Sequence, residues 1–200
     1  MRGKKVIEKQ EASLENDQFM GSEEKVNSIF LKKRIHFLNG DIADANISAA
    51  IKWIVYENAL DTPKDTLLHL YINSNGGDLY NALALIDIMR LSEKPIRTIG
   101  FGSIISAAFL IFACGTKGER YLSKNSTLMC HQFSDSYEGK YHDLISHAKS
   151  SEVTNAKMLE ILRGATGLSE RTISNKLLRP SDVWMTPEEA VKLGIADHIL

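Results

Sequence analysis

The sequence has almost no net charge, because 24 lysines and arginines stand against 25 aspartates and glutamates. Proteins that bind nucleic acid or anionic membranes present an excess of basic residues, so the composition gives no support to either partner. Cysteine is also scarce: Cys114 and Cys130 lack the close spacing of metal ligands. We expect two buried free thiols in a reducing compartment, and no metal site.

A long apolar segment is absent as well. The longest run, residues 104–114, is shorter than the about 20 residues that a membrane-spanning helix needs. The basic start of the chain is not followed by the apolar region of a secretory signal. The 44% of hydrophobic residues suits one globular domain with a full core. We therefore expect a soluble, cytoplasmic protein.

Residues 1–26 are polar and lack a sustained apolar period, and we expect a segment that is flexible or ordered only by a partner. After it, short β-branched runs alternate with helical apolar periods. One run, residues 67–72, has so few polar positions that we expect a strand in a sheet covered on both faces. The alternation predicts an α/β layered fold with parallel strand pairs.

A long, mostly polar stretch without proline covers residues 139–163. Its light apolar stripe predicts a single helix, and a helix of about 20 residues is roughly 30 Å long. Such a helix either covers the surface of its own domain or projects and pairs with another subunit. The pattern alone leaves both interpretations open.

Ser106 follows an alternating strand, residues 95–101, and precedes an apolar run that suits a buried helix. Gly100 and Gly102 predict a sharp turn between the two. Free backbone amides at a helix start would stabilise the charge that develops beside a nucleophile, although a cap or packing serine also suits this position. The glycine-containing loop 73–78 is likewise either an ordinary turn or a loop whose amides face a ligand oxygen.

Five segments carry motifs in a fixed order. They read YINSNGG at 71–77, GTKGER at 115–120 after Ser106, MCHQ at 129–132, GKYHDLISHA at 139–148, and DVWMTPEEAV with GIAD at 182–191 and 194–197. They resemble the glycine loop, the nucleophile helix with its G-x-K-G-x-R turn, the M-x-H-Q motif, the handle helix and the C-terminal motif of the Clp protease proteolytic subunit (ClpP) family. The resemblance runs from about Ile29 to Leu200.

The resemblance implies a serine endopeptidase with a Ser-His-Asp triad. The nucleophile falls on Ser106, the base on His131 and the orienting carboxylate on Asp182. A serine hydroxyl is a poor nucleophile until a nearby base takes its proton, and imidazole suits that task near neutral pH. A carboxylate fixes the imidazole tautomer and stabilises the imidazolium.

The resemblance also implies an oxyanion hole made by the N–H groups of Gly77 and Ala107, with Gly76 and Leu79 binding substrate. It implies the ClpP/crotonase-like α/β fold, a spiral of stacked ββα units with a projecting handle helix at 139–163. The peptidase domain would cover residues 27–200, after an N-terminal propeptide or axial loop at 1–26. No cofactor is implied.

The family resemblance implies two stacked heptameric rings that enclose a chamber. A partner AAA+ unfoldase would feed unfolded proteins into it, because the chain lacks the G-x-x-x-x-G-K-[ST] motif of an ATPase. Energy for unfolding would therefore come from another chain.

The sequence departs from the family pattern around the predicted site. Asn75 replaces a proline, Ala107-Ala108 replaces a Met-Gly pair, residues 103–105 replace a run of smaller residues, and two extra residues precede Asp182. Two alternatives stay open. A catalytically weak regulatory ClpP paralogue would not react with a serine-directed fluorophosphonate. A crotonase-like acyl-CoA enzyme shares the fold and the oxyanion amides, and would be favoured if the three side chains lay apart.

Overall fold

The structure is a computed structural model that describes residues 21–200, so most of the predicted N-terminal segment lies outside the described residues. The chain divides between Ile35 and His36 into two units. In the first unit, α1 spans Ser22–Lys32. This helix begins inside the stretch that the sequence patterns assign to flexible chain. The Glu24 carboxylate accepts a hydrogen bond from the Gly21 N–H at 3.1 Å, a cap that the pattern analysis missed.

The remaining elements build the expected α/β fold around a seven-stranded sheet. The strands are β1 (Ile35–Asn39), β2 (Leu68–Ser74), β3 (Ile96–Ile105), β4 (Arg120–Leu122), β5 (Thr127–Cys130), β6 (Val183–Met185) and β7 (His198–Ile199). The helices are α2 (Asp44–Ala59), α3 (Leu79–Leu91), α4 (Ala107–Ala113), α5 (Tyr141–Thr166), α6 (Glu170–Lys176) and α7 (Pro187–Lys192). The strand order is β1-β2-β3-β4-β7, and β5 pairs with both β3 and β6.

The strand pairs are mostly parallel, as expected from the alternation of strands and helices. The pairs β2–β3, β3–β4, β3–β5 and β4–β7 are parallel, and β5–β6 is antiparallel. Parallel strands end at the same edge of a sheet, so the residues that follow β3 and β5 come close together. This edge carries the candidate site.

One face of β2 is buried and the other is half-buried, so the expected covering is complete on one face only. The buried positions are Leu68, Leu70, Ile72 and Ser74. On the other face, Tyr71 stacks on Phe37 with ring centroids 5.0 Å apart. The strand has few polar residues because an aromatic ring, Tyr71, occupies this half-buried face.

The predicted turn at Gly100 and Gly102 is wrong, because β3 runs through both glycines to Ile105. A Cβ atom at Gly100 would lie 2.7 Å from Leu122 Cδ2, and one at Gly102 would lie 2.6 Å from Asn73 Oδ1. Glycines inside a strand often mark such close approaches. The chain turns later, at Ser106.

The predicted long helix is present as α5, and it extends to Thr166, where Gly167 ends it in the left-handed conformation with a φ of 74°. Its buried residues lie in the C-terminal half, at Thr154, Met158, Ile161 and Leu162. Among the described residues, no side chain of residues 141–153 is fully buried. No helix in the described part, residues 21–200, is long and apolar enough to cross a membrane.

Candidate active site

The ends of β3 and β5 position Ser106 and His131 side by side. Ile105, the last residue of β3, lies opposite Met129 in the parallel pair. The Ser106 N–H continues this pairing by donating a hydrogen bond to the Met129 carbonyl at 2.9 Å. His131 directly follows β5, so both side chains leave the same edge of the sheet.

The Ser106 hydroxyl lies within hydrogen-bond distance of the His131 imidazole. The distance from Ser106 Oγ to His131 Nε2 is 2.7 Å. This falls inside the range of about 2.6–3.2 Å over which a general base can take a proton. The structure therefore brings together two of the three side chains that the family motifs point to, and gives them the geometry of a serine–base pair.

Ser106 has an unusual backbone conformation, with φ at 58° and ψ at −123°. A positive φ in a non-glycine residue costs about 1–3 kcal/mol, and such strain persists only where the surroundings impose it. Gly76 forms part of those surroundings. A Cβ atom at Gly76 would lie 2.7 Å from Ser106 Cβ and 2.8 Å from the Ile105 carbonyl oxygen. The glycine loop therefore packs directly behind the serine.

The glycine loop is held by the backbone of Ile42. The Ile42 N–H donates to the Gly76 carbonyl at 2.8 Å, and the Asp78 N–H donates to the Ile42 carbonyl at 2.9 Å. A Cβ atom at Gly77, whose φ is 144°, would collide with Ile42. Within residues 21–200, neither the Gly77 N–H nor the Ala107 N–H at the start of α4 donates a hydrogen bond. Both amides remain available to an oxygen atom.

A cavity of about 170 Å³ opens beside Ser106. Ser106, His131, Gly77, Ala107 and Leu79 line it. The predicted substrate-binding residue Gly76 does not line this cavity. Its N–H donates to Ser74 Oγ at 3.1 Å and its carbonyl accepts from Ile42, so both of its polar backbone atoms are already used.

Asp182 is exposed, and its side chain forms no hydrogen bond or ion pair with any residue of the described part of the chain. Its position is nevertheless related to that of His131. In the antiparallel pair of β5 and β6, Cys130 lies opposite Val183. This is the last pair of the two strands: His131 follows β5 and Asp182 precedes β6, so the two residues lie at the same end of the strand pair.

A family model described as Clp protease matches residues 18–200, which include every residue of this site. The chain belongs to the Clp protease family. The match makes it a ClpP-like peptidase with the corresponding α/β fold, as the motifs indicated. Membership also implies, in general terms, assembly into an oligomer and partnership with a Clp ATPase.

Several residues of this Clp protease line the cavity without having been predicted. They are Asp78, Tyr80, Leu110, Cys130, Gln132, Phe133, Ser134, Asp135 and Met158. Met158 comes from the buried half of α5, far from the other residues in sequence, and no spacing points to it. For residues 132–135 one sequence signal existed: they directly follow His131, and residues next to a catalytic base commonly face the same cleft.

Cys130 is a second potential nucleophile next to His131, but its environment argues against that role. Burial raises the pKa of the Cys130 thiol to about 12. A thiol is reactive only as a thiolate, so Cys130 stays protonated and inert near neutral pH. Residues 21–200 contain no cluster of three or more histidine, cysteine or acidic side chains that could hold a metal ion.

Proposed function

We propose that the chain is a serine endopeptidase, the proteolytic subunit of an ATP-dependent Clp-type protease. The observation that carries the proposal is the 2.7 Å distance between Ser106 Oγ and His131 Nε2 in a chain of the Clp protease family. The family membership makes a peptidase the first expectation. The hydrogen bond supplies an activated hydroxyl to perform the reaction.

The reaction follows from the positions of the polar groups. His131 takes the Ser106 proton as Oγ attacks the carbonyl carbon of the peptide bond. The N–H groups of Gly77 and Ala107 donate hydrogen bonds to the negatively charged oxygen of the tetrahedral intermediate. The imidazolium then gives its proton to the leaving amine. Water, deprotonated by His131, hydrolyses the acyl-enzyme and releases Ser106.

Asp182 acts as the carboxylate that orients His131. The position of Asp182 supports this role, because it precedes β6 at the end of the β5–β6 pair that His131 follows. A resting form of the site would account for the missing hydrogen bond. Alignment of Asp182 with the second ring nitrogen would fix the imidazole tautomer and raise the rate.

Assembly into two stacked heptameric rings would enclose this site. The exposed side chains in the N-terminal half of α5 support contacts between rings, since no side chain of residues 141–153 is fully buried by the described residues. Substrates would be unfolded polypeptides delivered by an AAA+ unfoldase in the cytoplasm, where ATP is available to that partner.

A regulatory subunit with weak activity is the second candidate, and the unpaired Asp182 is the observation that favours it. One experiment separates the two functions. The purified full-length chain should hydrolyse fluorogenic peptides, Ser106→Ala should abolish the hydrolysis, and Ser103→Ala should retain it as a matched serine substitution on β3. Equal activity in the wild type and in Ser106→Ala would contradict the proposal, and an intact oligomer without any hydrolysis would favour the regulatory subunit.

A further inference from the structure

The cavity beside Ser106 is shaped to take one side chain of a bound peptide. Ser106, Ala107 and His131 belong to its wall, so a peptide attacked by Ser106 Oγ carries its nearest side chain into this space. The volume of about 170 Å³ slightly exceeds that of cavities of about 150 Å³ that hold a benzene ring. There is room for one large side chain.

The wall is apolar over much of its area. Leu110, Phe133 and Met158 contribute large hydrophobic side chains, and Ala107 contributes only a methyl group. A long side chain with a methylene stem would bury that stem against these residues. Lysine and arginine have such stems and keep their charged ends in polar surroundings.

Two acidic residues contribute to the wall. Asp78 and Asp135 line the cavity, and no lysine or arginine is among the described residues that do so. Asp78 Oδ1 accepts a hydrogen bond from the Asn81 N–H at 2.7 Å and caps α3. Asp135 lies on the loop after His131. Unlike Asp78, it does not cap a helix.

Contacts on both oxygens hold the Asp135 carboxylate in place. Oδ1 accepts from the Ser136 N–H at 2.8 Å, and Oδ2 lies 3.3 Å from His147 Nε2 on α5. The His147 ring in turn stacks on Tyr137, with centroids 4.5 Å apart and planes 10° apart. A carboxylate has about four acceptor positions, and the Asp135 side chain is 44% exposed, so these two contacts restrain it and leave acceptor positions for a ligand.

We propose that Asp135 makes the enzyme prefer lysine or arginine on the amino side of the cleaved bond. The stem of that side chain packs on the apolar wall, and its cationic end donates hydrogen bonds to Asp135. In trypsin a carboxylate in the pocket beside the nucleophile selects the same residues. This inference rests on the proposed function, because it concerns the peptide that Ser106 cleaves.

Two fluorogenic peptides test the preference, identical except for lysine or norleucine before the cleaved bond. Norleucine keeps most of the stem and lacks the ammonium group. We expect the ratio of kcat/KM for lysine over norleucine to be about tenfold or more in the wild type, and to fall by about tenfold in Asp135→Asn. Glu138→Gln, which removes an exposed acid of the same loop outside the cavity, should leave the ratio unchanged. Because both rates come from one preparation, the ratio is independent of the folded fraction.

The outcomes separate this inference from the proposed function. Hydrolysis of norleucine peptides in preference to lysine peptides by the wild type overturns the specificity and leaves the peptidase intact. An equal loss of the ratio in Asp135→Asn and Glu138→Gln overturns the assignment to Asp135. Absence of hydrolysis of either peptide overturns both proposals. A preference that persists in Asp135→Glu, which keeps the charge, supports Asp135 even if Asp135→Asn folds poorly.

Discussion

The conformation of Ser106 depends on the absence of a side chain at Gly76. The positive φ of the serine turns its hydroxyl out of the end of β3, and the glycine loop closes the space behind it. Packing of the loop against the serine supplies the constraint that a strained backbone needs in order to persist. The loop and the nucleophile therefore form one structural unit.

Gly76→Ala should damage this unit far more than Gly118→Ala. The two glycines have similar φ angles, 95° and 88°, but an added Cβ at Gly118 would meet nothing within 4 Å. Gly118→Ala should cost only the backbone strain, about 1–2 kcal/mol. Gly76→Ala should cost more and should displace Ser106 as well. Urea unfolding and peptide hydrolysis of both variants check this, and equal losses in the two would contradict it.

Asp182→Asn should leave folding nearly unchanged, because the side chain is exposed, and should lower kcat by about 10⁴. The amide would no longer fix the tautomer of His131. Peptide hydrolysis and thermal unfolding of the same preparation measure the two effects. Asn175→Ala is the comparison, because Asn175 lies on α6, the helix before Asp182, and is the alternative candidate for orienting His131. Near-normal hydrolysis by Asp182→Asn together with a loss in Asn175→Ala would move the orienting role to Asn175.

The sequence allowed Ser106 and His131 to be named, because His131 lies in a short motif, Ser106 precedes another, and the motifs follow one another in a characteristic order. The structure adds the 2.7 Å contact between them. Asp135 and Met158 could not be named in advance. Their place in the cavity depends on how the loop after β5 and the buried half of α5 pack, which no local spacing encodes.

At the scale of elements, most helices and strands could be predicted because their apolar periods are regular. Strand β3 is the instructive exception. Its two glycines suggested a turn, whereas the strand continues through them: Gly102 has a φ of 64°, which favours glycine, and Gly100 packs closely against Leu122. Helix α1 was missed because its first turn is polar and its apolar stripe, Val26, Ile29 and Phe30, begins only at the end of the polar stretch.

Arg120 at the start of β4 connects several parts of the fold through its guanidinium group. Its Nη2 lies 2.6 Å from Asp197 Oδ1. Its Nη1 donates to the Ala165 carbonyl of α5 at 3.0 Å and to the Gly194 carbonyl after α7 at 2.8 Å. The guanidinium is nearly fully buried, so the loss of Asp197 would leave its charge uncompensated.

The Arg120–Asp197 pair should make stability depend on pH. Burial raises the pKa of the Asp197 carboxyl. The hydrogen bonds and the charge of Arg120 lower it by more, so the pKa lies below its usual value. The pair therefore contributes its full stability above the unfolded value of about 3.9 and loses it as the pH falls through the lowered folded value.

Asp197→Asn should cost about 3–5 kcal/mol at pH 7, and the cost should shrink as the pH falls below about 4. Urea unfolding at fixed protein concentration, at pH 7 and near pH 3, measures both values. Glu93→Gln is the control, because it breaks the exposed ion pair with Lys64 and should change stability little. A cost for Asp197→Asn that is equal at both pH values would contradict the linkage.

At the scale of the whole molecule, the N-terminal half of α5 presents apolar side chains that residues 21–200 leave exposed. Ile145 is 56% exposed and Leu144 is 44% exposed. We expect the same helix of an opposing ring to cover them, which would give a tetradecamer. Ile145→Asp should shift mass-photometry peaks from the large species to smaller ones, whereas Ser146→Asp should not. A wild-type monomer at micromolar concentration would contradict this assembly.

The central claim is that His131 activates Ser106 as the nucleophile. Fluorophosphonate labelling of the full-length protein, with the modified residue identified by mass spectrometry, tests it most directly. The account predicts an adduct on Ser106 in the wild type and in Ser103→Ala, a rate lower by about 10²–10⁴ in His131→Ala, and no adduct in Ser106→Ala. An adduct on another serine, or labelling as fast without His131 as with it, would contradict the account.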